Sequence, residues 1–131
     1  MPQDANLVLQ ASVTKTATFN GAGLTIPTGT PRRGLKAHVI YSANSASQTG
    51  DTVTFDIDVS TDGGSTWNNE FQAAPLAQPT SANSGELWIP FEVSKATAAS
   101  NDLQIRLTAT FSSTAHSNTI TYSATIELSR P

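Results

Sequence analysis

Apolar and polar residues alternate along most of this chain with the two-residue period of a β-strand. The cleanest run sets Val53, Phe55, Ile57 and Val59 on one face and Thr54, Asp56, Asp58 and Ser60 on the other. Over residues 7–19 the odd positions are apolar except at Lys15, which predicts one long strand or two with a break near Thr14 to Thr16. Leu35, Ala37, Val39, Tyr41 and Ala43 share a phase against Lys36, His38, Ile40 and Ser42. Further on, Leu87, Ile89, Phe91 and Val93 point one way and Glu86, Trp88, Pro90 and Glu92 the other. Pro90 has no N–H to give to a ladder, so this strand is expected at a sheet edge or bulged. Two more runs, 103–111 and 120–128, close the pattern.

Between the runs the period fails. Gly21, Gly23, Pro27, Gly29, Pro31 and Gly34 break a long connection anchored only by Leu24 and Ile26, and residues 44–50 read as a small polar loop. Residues 73–85, rich in Pro, Ser and Ala, read as a longer loop, and 94–101 as a stretch too short for a stable helix. Roughly eight strands with one apolar face each predict an all-β, antiparallel β-sandwich of jelly-roll or immunoglobulin-like topology. No repeat of fixed period points to a propeller or β-helix. The domain expectation is one unit over residues 1–131, with residues 1–6 as a short polar arm.

Composition narrows the function classes. Charged residues are only 13% of the chain, and about a quarter is Ser or Thr, which suits sheets with hydroxyl-bearing outer faces. The net charge of −3 gives no electrostatic footprint for nucleic acid. Absent cysteines exclude disulfides, thiolate metal sites and cysteine nucleophiles, and fit folding in a reducing cytoplasm. No basic, apolar leader and no run long enough for a membrane span is present, so neither export nor membrane association is expected.

One local motif is specific. Ser60-x-Asp62-x-Gly64-x-Thr66-Trp67 pairs an Asx-type turn with glycines suited to positive φ and an indole that can fold back across the hairpin. This pattern resembles the Asp-box of sialidase propellers, where it is structural, so Ser60, Asp62, Gly64 and Trp67 are read as a hairpin scaffold. Asp56 and Asp58 are expected on a solvated acidic face. His38 and His116 lack metal-site spacing, and no G-x-S-x-G elbow surrounds any serine, so no metal, cofactor or enzymatic activity is expected. Trp88, outward in its strand, and Arg32 with Arg33, at the end of a Pro/Gly-rich loop, are the candidate partner-interface residues.

The segments TFNGAG, VTFDIDVSTDGGSTW and LQIRLTATFSS with NTITYSATIELSR together resemble the small β-sandwich virion proteins of tailed bacteriophages, above all capsid decoration (cement) proteins. The resemblance implies a binding protein without chemistry. It would sit on the capsid surface of the virion, with the major capsid protein as partner and its own copies as neighbours, as a homotrimer. A tail or baseplate β-domain is the alternative within that class. From another class, a carbohydrate-binding module would use Trp88 and the Asp56/Asp58 face as its platform.

Overall fold

The computed structural model describes residues 8–25, 35–91, 103–113 and 115–128. In chain order the strands are β1 (Val8–Lys15), β2 (Phe19–Asn20), β3 (Leu24–Thr25), β4 (Leu35–Ala46), β5 (Thr52–Ser60), β6 (Asn68–Gln72), β7 (Leu76–Ala77), β8 (Asn83–Phe91), β9 (Gln104–Phe111) and β10 (Asn118–Leu128). They form two antiparallel sheets: a four-stranded sheet in the order β1-β10-β4-β8, and a six-stranded sheet built on β2-β9-β5-β6, with β3 beside β9 and β7 beside β5. The expected sandwich is therefore present.

Its topology follows from the pairing. With the two-residue strands β3 and β7 set aside, the remaining strands pair as nested hairpins: β1 with β10, β2 with β9, β4 with β8 and β5 with β6. The chain is thus one long hairpin, rolled so that alternate pairs fall in opposite sheets. That arrangement is a jelly roll, not an immunoglobulin-like sandwich. The turn between β5 and β6 is the tip of the innermost hairpin, and it is the segment that carries the Asp-box pattern.

The alternation along each strand puts its apolar face between the sheets. Val53, Phe55, Ile57 and Val59 of β5 meet Ala37 and Val39 of β4 and Ile120, Tyr122, Ala124 and Ile126 of β10 in one core, all buried. Phe55 and Tyr122 join the two sheets edge to face, with ring centroids 4.9 Å apart. The Tyr122 hydroxyl has no hydrogen-bond partner, and burial pushes its pKa up to about 12. Pro90 lies on β8, an edge strand, as its missing N–H requires.

Four expectations change. The 7–19 run takes the two-strand form of its expectation, its halves in different sheets, but register shifts in β1 between Val8, Gln10 and Val13 leave Ala11, expected inward, exposed. Residues 44–46 belong to β4: a bulge after Tyr41, with Ala43 at φ 51°, turns Asn44 and Ala46 inward. Residues 73–85 are not a free loop, because β7 pairs with β5 and Gln78 is buried. Asp56 and Asp58 do lie on the outer side of β5, yet they are buried rather than solvated. Arg32, Arg33, the 94–101 stretch and the arm at 1–6 lie outside the described residues.

Candidate functional site

The β5–β6 turn is built around one carboxylate. Asp62 Oδ1 accepts hydrogen bonds from the Ser60 hydroxyl at 2.8 Å and from the N–H groups of Ser65 and Thr66 at 3.0 and 2.9 Å. Asp62 Oδ2 accepts the Thr66 hydroxyl at 2.6 Å. Ser60 Oγ in turn accepts the Gly64 N–H at 2.9 Å, and the Trp67 indole N–H donates to the Gly64 carbonyl at 3.0 Å. Gly63 and Gly64 take φ of 75° and 96°, where a side chain would be strained. The Thr66 hydroxyl and N–H, with Ser60 and Ser65 behind them, hold the Asp62 carboxyl down to about 2. The Ser60 hydroxyl, both Asp62 oxygens and the Trp67 indole N–H are bonded within the turn, so Ser60, Asp62, Gly64 and Trp67 form a scaffold.

Trp67 also explains why the neighbouring carboxylates are covered. Its ring lies under the Arg106 guanidinium at 4.4 Å, and the chain at Gly23 runs so close that a Cβ there would fall 3.1 Å from the indole. Beneath this cover Asp58 Oδ2 accepts Arg106 Nε–H at 2.9 Å and the Thr108 hydroxyl at 2.8 Å. Asp56 Oδ2 accepts the Asn69 amide at 3.0 Å, while its Oδ1 is buried with no donor reaching it. Burial, then the neighbouring Asp58 carboxyl through hydrogen bonding and repulsion, push the Asp56 pKa up to about 7 against the pull of Asn69 and Arg106. Both effects favour the protonated form of Asp56 beside the Asp58 carboxylate. The pair is a closed network, and among the described residues no three acidic or histidine side chains converge as a metal site.

A second buried polar cluster has no motif to announce it. Asp51 Oδ2 meets His116 Nδ1 at 2.7 Å and accepts the Asn118 amide at 3.1 Å. Asn118 also donates to Gln78 Oε1 at 2.9 Å, and Gln78 donates to Asn44 Oδ1 at 3.0 Å. The hydrogen bond from His116 is the chief cause that lowers the Asp51 pKa, with Asn118 assisting and desolvation opposing. These residues are far apart in sequence, so no spacing could have revealed the cluster. The only local hint is the polar Asn44 and Gln78 in stretches that read as loop.

The open surface of the molecule lies on the other sheet. Directly across the four strands, Val8 pairs with Thr125, Thr125 with His38, and His38 with Trp88, so these four side chains form one row on the outer face. His38 and Trp88 stack 3.7 Å apart and within 6° of parallel. His38 Nδ1 lies 3.3 Å from Glu127, its Nε2 contacts Glu86, and the Lys36 ammonium sits 4.5 Å from the centre of the Trp88 ring. The exposed large apolar side chains among the described residues are Val8, Ile40 and Trp88, at 45%, 53% and 43% exposure, and all three lie on this face.

Compared with known proteins, the chain matches no family model and no curated protein. The site must be judged on its own geometry. Trp88 is outward, as its phase predicted, and exposed, with His38 and Lys36 of β4 packed against its ring. Trp88 and the Asp56/Asp58 pair are on the outer faces of opposite sheets, pointing away from each other, so they do not assemble into one sugar platform. His38 already occupies one face of the indole.

Proposed function

We propose that this chain is a non-enzymatic virion structural protein that decorates the outer surface of a tailed-phage capsid, with the major capsid protein as its partner. The observation that carries the reading is the exposed row across the four-stranded sheet. Val8 and Trp88, with Ile40 beside them, are large apolar groups gathered on one rigid face. The stacking and ion contacts that fix Trp88 spend its rotamer freedom before binding, which lowers the entropic cost of an interface. The best-formed polar clusters elsewhere direct their hydrogen bonds at one another, as suits a scaffold rather than a reaction centre. Jelly rolls serve in viral shells and in lectins alike, so the fold agrees with this reading without deciding it.

Binding that recognises only the assembled shell stabilises it by mass action, and many copies add their contributions. The test is to mix the purified chain with expanded heads of its phage that lack it. Co-sedimentation and a rise in the heads' melting temperature are expected. If the chain stays in the supernatant at saturating concentration, the proposal fails.

A further inference from the structure

The exposed face of the four-stranded sheet has a property that a general apolar patch lacks: its charges are placed to complement a copy of itself. Lys36 and Ile40 lie on β4 on either side of His38, and Glu86 lies on β8 directly across from Ile40. Lys36 therefore flanks the His38–Trp88 row on one side, with Glu127 across from it on β10, and Glu86, in contact with His38, flanks it on the other. We propose that this face is a contact between two copies of the chain, related by a twofold axis lying along the His38–Trp88 row.

A rotation about that axis brings the face onto its own image. Trp88 meets Trp88 of the second copy, and the His38–Trp88 stacks of the two molecules adjoin. The Lys36 side of one copy comes over the Glu86 side of the other, twice by symmetry. The Lys36 ammonium is already drawn across to Trp88, which places it over the β8 column where Glu86 of the second copy arrives. Ile40 faces the aliphatic stem of Lys36 from the second copy, an apolar cover for an exposed side chain. Each row thus finds a partner of suitable chemistry without a second, different patch. Closed threefold association, as the resemblance to decoration proteins implies, would need two different patches that fit each other; a patch that fits itself makes a pair. Four strands at a spacing of about 4.8 Å make the face roughly 14 Å wide, so the contact is small and its formation depends on concentration.

The inference rests on this face being a protein-contact surface and not on the capsid assignment; a second copy and a capsid would compete for it, so the weak pair must part before the face meets a shell. Sedimentation velocity of the purified chain, run without any shell from low micromolar to millimolar concentration, should show a monomer–dimer equilibrium. Trp88→Ala, Ile40→Lys and Lys36→Glu should each weaken the dimer by about tenfold or more, Ile40→Lys by setting a cation against Lys36 of the second copy. These positions carry exposed or half-exposed side chains, and thermal melting of each variant confirms that it folds. The decisive variant is Lys36→Glu combined with Glu86→Lys, which exchanges the signs and should recover the dimer lost in Lys36→Glu alone. A wild type that remains monomeric, a trimer as the associated species, or a double variant no better than the single one would overturn the proposal. A monomer that nevertheless co-sediments with heads would overturn this inference and leave the capsid reading standing.

Discussion

Asp62 does most of the work of the innermost turn with one side chain. Two N–H groups and two hydroxyls converge on its carboxylate. Asp62→Ala leaves those donors without their acceptor and frees two left-handed glycines, so the melting midpoint should fall by several degrees. Association through Trp88, on the other sheet, should be unchanged in the protein that remains folded. Loss of association without loss of stability would show that the turn carries a binding role. Asp58 presents the contrasting case of a buried acid with a cationic partner. Asp58→Ala strands the Arg106 guanidinium over the Trp67 ring and should cost roughly 3 kcal/mol in chemical denaturation, the low end for orphaning one member of a buried pair.

At the scale of elements, the sequence announced strands well and their junctions poorly. The phases of β4, β5, β8, β9 and β10 were legible because each buries one face and exposes or pairs the other, so a slip of one residue would invert the core. The segment before residue 19 misled because bulges in β1 break the link between odd position and inward side chain. Residues 44–46 and 73–85 misled for a different reason. Their inward groups are Asn44 and Gln78, polar side chains whose burial depends on partners supplied from distant strands. Gln78 joins Asn44 to Asn118 and also donates to the carbonyl of Thr119 at 3.3 Å, so it ties β4 and β10 to the segment following β7. Gln78→Ala would leave several buried groups unsatisfied, at about 1–3 kcal/mol for each group that water cannot reach. Amide exchange should then accelerate first at residues 44–47, 77–79 and 117–119. Uniform acceleration over the whole chain would show that the clasp does not open as a local unit.

For the molecule as a whole, the longer strands were legible, while the two-residue strands β3 and β7 and the strand order were not, since antiparallel pairing of distant segments leaves no mark on local pattern. The outward direction of Trp88 followed from its phase alone. Asp56 and Asp58 were placed on the correct side of their strand but wrongly left in water, because nothing local shows that Trp67, Arg106 and residues 20–23 close over them. That burial gives the protein an unusual dependence on pH. Asp62 and Asp51 have folded pKa values below the ordinary aspartate value of 3.8, so the stability they contribute is complete above about pH 4 and is lost as pH falls. Asp56, held up to about 7, acts in the opposite sense: from about pH 4 to about 7 the folded chain keeps a proton that the unfolded chain has released. Stability therefore declines over that interval and levels off above it, by a few kcal/mol at most at about 1.4 kcal/mol per unit. Together these groups put the stability maximum near pH 4 to 5, on the acid side of the usual range. Asp56→Asn replaces the shared proton with a permanent amide donor toward Asp58 and keeps an oxygen to accept from Asn69. Denaturation midpoints of that variant should be flat between pH 5 and 8 and should exceed the wild type at pH 8. A wild-type profile that rises toward neutrality, or an Asp56→Asn variant weaker than wild type at pH 8, would show that the two carboxyls do not share a proton.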